Sequence, residues 1–329
     1  MIVEQVRETV RAAGLLGGND LPTHPVVTMV SGGRDSICLL DVAVALCVPG
    51  SVAALHVNYG LRGMESDEDE RHCAALCESL GVVLEVVRAR REKSEAGNLQ
   101  AWARDVRYAA AIGMAEALDE RRATLGQPRA LVVAGHTASD QVETILYRLA
   151  ASPGRRALLG MVPREGRLIR PLLAITRAQT AAYCEARGLE WREDATNDSE
   201  QYARGRVRNG LLPALRAVHP AAESSVLRTA QLLREETELL ESLVDAQLAG
   251  QESIAIMRLG ELPTALARLV VVSLAERAAG TYVPQAGGRV EEILELGRRG
   301  GGRAELHIGG QVGAVIQDGL LKMVKLPPR

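Results

Sequence analysis

The chain contains no phenylalanine, and its aromatic side chains are two tryptophans and six tyrosines. Lysine is nearly as scarce. Of 39 basic residues only Lys93, Lys322 and Lys325 are lysines, and arginine supplies the rest. With alanine and glycine abundant, this bias reads as compositional drift of the source genome rather than chemistry. There is no strong excess of either charge: the net charge is -2 and the pI near 6.4. A globally basic nucleic-acid coat is excluded, although a local basic surface is not.

Cysteine is also sparse. Five residues (Cys38, Cys47, Cys73, Cys77, Cys184) are an odd number scattered through apolar helical patterns. They read as small buried hydrophobes in a reducing compartment, not as a disulfide framework. Cys73-x-x-x-Cys77 lacks a second ligand pair nearby, which argues against a zinc or iron–sulfur site. No apolar stretch reaches the length of a membrane span, and no basic segment followed by a long apolar run opens the chain. The expectation is a cytoplasmic protein without a membrane partner. The Walker pattern G-x-x-x-x-G-K-[ST] is missing throughout.

What the sequence does have is Ser31-Gly32-Gly33-Arg34-Asp35-Ser36, placed directly after the β-branched run Val26–Val30. The pattern predicts strand, tight loop and helix. A helix N-terminus presents unpaired N–H groups and a positive dipole to an anion, and glycines let the backbone form a concave nest around it. Asp35 fits such a phosphate cradle when a carboxylate holds Mg²⁺ beside the phosphates. The plainer reading is a strand–turn–helix with a Gly-Gly turn and an aspartate N-cap.

Further strands are expected at Val52–Val57, Val83–Val87 and Leu131–Gly135. Helices are expected around Asp67–Leu80, Asn98–Leu118 and Ser139–Ala150. Alternating, continuously apolar strands predict a mostly parallel sheet with helices on both faces. Ligands of such sheets sit at the carboxyl ends of strands, where Ser31–Ser36, His56–Asn58 and Gly135–Asp140 fall. On a helix beginning near Ser139, Asp140 and Glu143 share a face and could hold Mg²⁺ or a cationic substrate group. A capping aspartate on a solvated acidic face is the alternative. Residues 152–216 carry twelve arginines against seven acids, an excess of five, which suggests a polyanion surface. Pro220 marks a boundary, followed by helices over Ala221–Leu248 and Pro263–Ala279. Gly297–Gly302 reads as a flexible connector and Ala304–Val324 as a terminal hairpin. Residues 1–216 are expected to form the catalytic domain and 217–329 a smaller, mainly helical positioning domain.

These residues together resemble tRNA(Ile)-lysidine synthetases, within the PP-loop ATP pyrophosphatase superfamily. The resemblance rests on Ser31–Ser36, His56-Val57, Gly60-Leu61-Arg62-Gly63, Gly97-Asn98-Leu99 and Ala103-Arg104-x-x-Arg107-Tyr108. It continues through Gly135-His136-Thr137 with Asp140-Gln141-x-Glu143-Thr144, Arg170-Pro171-Leu172, Trp191–Asp194, Asn197 and Arg204-x-Arg206-Val207-Arg208. It implies an adenine-nucleotide α-hydrolase-like fold and an ATP- and Mg²⁺-dependent ligase. Such an enzyme adenylates the wobble cytidine of tRNA(Ile) with a CAU anticodon, and free L-lysine then displaces AMP.

Under that resemblance Ser31, Gly32, Gly33, Arg34, Asp35, Ser36, His56 and His136 bind ATP. Asp35 also ligates the metal, and Asp35 and Asp140 are catalytic. Arg104, Arg107, Asp140 and Glu143 receive lysine, while Arg155, Arg156, Arg204, Arg206 and Arg208 meet tRNA or phosphate. The chain departs from the family at Asn58-Tyr59, usually Asp-His, at Ser139, usually Asp, and at Gly205, usually Asn. Ser139 keeps an N-cap oxygen at the cost of a charge. Two other readings stay open: a PP-loop tRNA thiolase, which needs cysteines near the site, and a catalytically silent tRNA-binding relic. Assembly as a homodimer also stays open.

Overall fold

The computed structural model describes residues 1–17, 24–91, 98–122, 128–152, 154–192, 203–299 and 302–327. Gly97, Glu193, Asp194, Asn197 and Gly300-Gly301, singled out above, lie outside the described residues. The chain divides into two compact units, Met1–Gln231 and Leu232–Arg329.

In the first unit the elements run α1 (Ile2–Ala12), β1 (Val26–Met29), α2 (Arg34–Leu46), β2 (Val52–Asn58), α3 (Met64–Ser79), β3 (Val83–Arg88) and α4 (Leu99–Arg122). They continue with β4 (Leu131–Val133), α5 (Ala138–Ala151), β5 (Arg164–Glu165), β6 (Leu168–Ile169), α6 (Arg177–Arg187), α7 (Ala203–Arg206) and α8 (Leu212–Val218). The division between units falls within α9 (Ala222–Leu248).

The six strands form one sheet in the order β3-β2-β1-β4-β6-β5, parallel except for β5. All four residues of β1 are buried, as a central strand covered on both faces requires. On one face Ile37 and Leu39 of α2 and Tyr183 of α6 pack with Val26 of β1 and Val133 of β4. On the other, Ala111, Met114 and Ala115 of α4 meet Val27, Leu55 and Val132. The small alanines let α4 lie close to the sheet. Because β2 and β4 flank β1 on opposite sides, the connections diverge beyond the β1 and β4 ends and open a crevice there.

The fold class is as expected, and several details differ. The β5–β6 hairpin, turning at Gly166 with φ +59°, was not anticipated in the arginine-rich segment. Asp41, 2% exposed in the middle of α2, binds Arg187, Arg7 and the Tyr183 hydroxyl, so one carboxylate ties α1, α2 and α6 together. Among the described residues no helix is long and apolar enough to cross a membrane.

The second unit packs the end of α9, α10 (Ile256–Glu261), α11 (Thr264–Ala279) and α12 (Val290–Arg298) around one core. Its antiparallel sheet has the order β7-β10-β9-β8, from β7 (Ser253–Ala255), β8 (Arg303–Gly309), β9 (Val312–Gln317) and β10 (Leu320–Lys325). The expected terminal hairpin is thus a three-strand meander, to which β7 adds an edge. Gly297 does not begin a connector: it lies inside α12, where an added Cβ would meet Ile256 at 2.7 Å. That glycine serves close packing of α12 on α10.

Candidate active site

The loop after β1 turns at Gly32, whose φ of +84° is the left-handed region that glycine alone adopts cheaply. Gly33, with extended backbone, is the N-cap of α2, so Asp35 lies within the first turn and the aspartate N-cap reading is set aside. The Ser36 hydroxyl accepts the Ser31 N–H at 3.1 Å and donates to the Gly33 carbonyl at 2.8 Å, holding the loop as a cup. The cup stands at the N-terminus of α2, the end of a helix that favours an anion. Gly135, just past β4, approaches so closely that a Cβ there would stand 3.2 Å from the Asp35 carbonyl oxygen. The segment after β4 thereby lies directly against the first turn of α2.

Around them lies a cleft of about 500 Å³ lined by Ser31, Gly33, Arg34, Asp35, Ser36, Tyr59, Arg107, Tyr108, His136, Asp140, Arg177, Trp191 and Arg208, among others. Gly32 forms the turn behind this wall. His56 is buried, and its Nδ1 lies 2.9 Å from the Val30 carbonyl, so it braces the β1 end from beneath.

Asp140 is not on a freely solvated face. Thr137 caps α5, and a capping box joins the two: the Asp140 carboxylate accepts both the Thr137 N–H and hydroxyl at 2.8 Å. Ser139 therefore is not the N-cap oxygen it was expected to be. Its Oγ instead accepts the Arg177 N–H at 3.4 Å, at the start of α6.

Arg177, which the sequence did not distinguish from its neighbours, is the hub of the site. Its Nη2 donates to Asp140 Oδ1 at 2.6 Å and its Nη1 to Glu143 Oε1 at 2.7 Å. Its Nε lies 3.6 Å from Asp35 Oδ2, and Thr180 of the same helix donates its hydroxyl to Asp35 at 2.5 Å. Arg208 clasps both Glu143 oxygens at 2.8 and 3.0 Å. Glu143 is only 2% exposed, behind the cleft wall.

The electrostatics follow. Burial pushes the Asp140 carboxyl up, but Arg177 and the Thr137 donors outweigh it and hold it below the usual range. Burial lowers the Arg177 guanidinium, while Asp140, Glu143 and Asp35 more than offset this and raise it. His136 is driven down to about 4, chiefly by burial, with Arg170, Arg107 and Arg104 opposing the attraction of Asp140. It is neutral at pH 7. Among the described residues its Nδ1, the Arg107 Nε and the Tyr108 hydroxyl are buried without a hydrogen-bond partner, all three on cleft-lining residues. Orphaned polar atoms in one cleft fit a polar ligand.

The other expected residues are distributed differently. Arg104 stacks its guanidinium 4.6 Å above the Tyr108 ring and does not line the cleft. Arg155 and Arg156 sit on a 3-10 turn, Arg155–Leu159, away from the lining. Arg204 and Arg206 are exposed on α7, whereas Arg208 turns inward from a π-helical stretch, Val207–Leu211. Gly205 is buried in α7. Asn58 is buried and donates to Asp67 and Glu70, tying the end of β2 to α3. Asp69 accepts from both Arg62 and Arg192 at 2.5 Å along the cleft rim.

The thiols do not suit sulfur chemistry. Cys38, Cys73, Cys77 and Cys184 are buried. Burial raises Cys73 to about 12 and Cys77 and Cys47 to about 11, and contact with Cys184 together with burial raises Cys38 well above its ordinary value. Among the described residues no three His, Cys, Asp or Glu side chains are grouped to hold a metal ion.

Residues 7–215 match the PP-loop domain family. A tRNA(Ile)-lysidine synthase from Dehalococcoides mccartyi is 32% identical over 92% of this chain and 66% of its own length. One from Symbiobacterium thermophilum is 35% identical over 91% of the chain and 64% of its own, and one from Geobacter sulfurreducens 36% identical over 75% and 52%. The chain thus spans between about half and two thirds of the length of these relatives. A U34-tRNA thiolase from Methanococcus maripaludis, solved with its [4Fe-4S] cluster, superposes with a TM-score of 0.54 at 18% identity, covering 71% of this chain and 79% of that one. That likeness concerns the fold. A sheet with a glycine nest at its switch point, the ordered motifs around it, and the match over 7–215 have one conclusion: this chain belongs to the PP-loop domain family.

Proposed function

We propose that the chain is an ATP-dependent tRNA(Ile)-lysidine synthase. In this reading the carbonyl oxygen on C2 of the wobble cytosine attacks the α-phosphate of ATP and pyrophosphate leaves. The ε-amine of free lysine then displaces AMP, which departs with that oxygen, to give lysidine. The observation that carries the reading is one cleft in which a glycine-rich loop at the head of α2 and carboxylates already clasping cations share Arg177. The curated relatives named above add their support.

Each residue then has a task. The Ser31–Ser36 nest and the first turn of α2 bind the triphosphate, positioning it without covalent chemistry. Asp35, with substrate phosphate oxygens, suits Mg²⁺, which is usually held by one or two carboxylates plus phosphates. When bound, that ion supplies charge neutralisation for the leaving pyrophosphate. Neutral His136 offers a hydrogen bond without adding charge. Asp140 faces the cleft and takes the lysine ammonium, while Glu143 stands behind it and anchors Arg177 and Arg208. Arg107, with its orphaned Nε, is better placed than Arg104 for the lysine carboxylate.

The test is incubation with ATP, labelled lysine and total tRNA. Label in the tRNA(Ile) bearing CAU, with AMP and pyrophosphate released in equal amounts, is the expected result. Lysine-independent sulfur transfer would move the assignment to a thiolase, and tRNA binding without turnover to a silent relic. Action on a tRNA pool also fits a cytoplasmic location.

For the tRNA surface, Arg204 and Arg206 are the pair to neutralise, because removing Arg208 would also strip Glu143 of a partner. Arg204→Gln with Arg206→Gln should weaken tRNA binding and reduce the slope of log affinity against log salt by about two units at most. An unchanged slope in a salt series would locate the tRNA contact elsewhere.

A further inference from the structure

Of the chain's eight aromatic side chains, Tyr59 and Tyr108 line the cleft and Trp102 packs on Tyr59, with three arginines standing over Trp102 and Tyr108. Tyr59 and Trp102 lie 5.7 Å apart between ring centroids and tilted by 60°. The Tyr59 hydroxyl donates to the Ala103 carbonyl at 2.8 Å, which fixes the ring against α4. The Arg91 guanidinium stands 6.0 Å over Trp102, and Arg104 and Arg107 stand 4.6 and 5.7 Å over Tyr108. All three rings are half-buried, so each keeps exposed surface. Tyr59 also occupies a position where the family resemblance implies histidine, so this wall is partly particular to this chain.

Tyr59 and Tyr108 pack against the sheet core, which fixes them, while guanidinium groups stand over Trp102 and Tyr108. Rings interleaved with arginines suit an unpaired base, whose π-face stacks on an aromatic while cations meet the backbone phosphates. We propose that Tyr59, Trp102 and Tyr108 form a stacking platform for an unpaired RNA base next to the reacting nucleotide. The proposal rests on the tRNA reading above for the class of its ligand. Held there, the neighbouring base fixes the register of the loop, so that one cytosine alone reaches the nest and Asp140.

The experiment measures binding of an anticodon stem-loop RNA carrying a CAU loop to the full chain across a salt series. Trp102→Ala and Tyr59→Ala should each weaken binding about five- to 150-fold, the range that about 1–3 kcal/mol per stacked base corresponds to. The salt slope should stay unchanged, because no phosphate contact is lost. Trp102→Phe and Tyr59→Phe should bind RNA nearly as the parent does, and Trp102→Ala, altered outside the cleft lining, should leave ATP affinity unaffected. In a Trp191→Phe protein Trp102 is the lone indole, and the RNA should quench its emission. Alanine variants that bind RNA normally, or that lose ATP affinity instead, overturn the platform; the second outcome assigns the rings to adenine. Absent quenching also overturns it. Lysine incorporation by the parent, run in parallel, separates the two claims. If it fails while the stacking results hold, the lysidine reading falls and the platform stands.

Discussion

Replacing Asp35 with asparagine should cut pyrophosphate release at least a hundredfold while the protein stays folded. The carboxylate sits in the first turn of α2, beside the glycine-rich loop, 22% exposed and lining the cleft. Asparagine preserves volume and can still accept from Thr180, so the packing of α2 on α6 should survive. What it cannot do is offer a full negative charge to a metal ion that would accompany the phosphates. Single electrostatic contacts of this kind are worth roughly 10²–10³ in rate. Pyrophosphate release at near-parental rates, with unchanged circular dichroism, would reduce Asp35 to a structural hydrogen-bond acceptor.

The second large effect is expected at Arg177. Its guanidinium serves Asp140, Glu143 and, at longer range, Asp35, and it is 23% exposed. Arg177→Met keeps much of the stem and leaves Asp140 with its Thr137 donors and a distant Arg208 at 3.9 Å. Removing one partner from a largely buried ionic group typically costs about 3–5 kcal/mol. The retained Arg208–Glu143 clasp places the expectation at the lower end. The pH dependence has a definite sign. Asp140 is held below its unfolded value, so its contribution to parental stability is complete above about pH 4 and is lost as the pH falls further. The gap between parent and variant should therefore be full at pH 7 and close below about pH 4. Urea midpoints at pH 7 and pH 3.5 measure it, and a gap that widened in acid would refute this account of the hub.

The nest could be read from six residues because strand, glycine turn and helix start are local events. Asp140 and Glu143 were legible as a pair, since their spacing alone places them on one helical face. Arg177 was not legible: its partners lie 34 and 37 positions away, and in a chain this rich in arginine nothing local marks it out. Separation in sequence hid Asp41 too, whose partners in α1 and α6 lie 34, 142 and 146 positions away. Ser139 was misassigned as a cap because Thr137, two residues earlier, offers the same hydroxyl chemistry with the better register. In the second unit a glycine-rich run suggested a connector, yet Gly297 is small because Ile256 fills the space beside it.

The contrast between nest and hub has a consequence for the nascent chain. The cup at residues 31–36 closes over a few residues, at little loop entropy, and can form as soon as β1, β2 and α2 have emerged. The ionic lattice joins residues 35, 140, 143, 177 and 208, so its closure spans most of the first unit. A chain synthesised only as far as α5 already owns its anion cradle and its buried acids, but not the arginines that neutralise them. During that interval two carboxylates destined for burial stand uncompensated, and docking of α6 is what relieves them. Synthesis order thus makes the arrival of Arg177 the step at which both of these carboxylates gain a counter-charge.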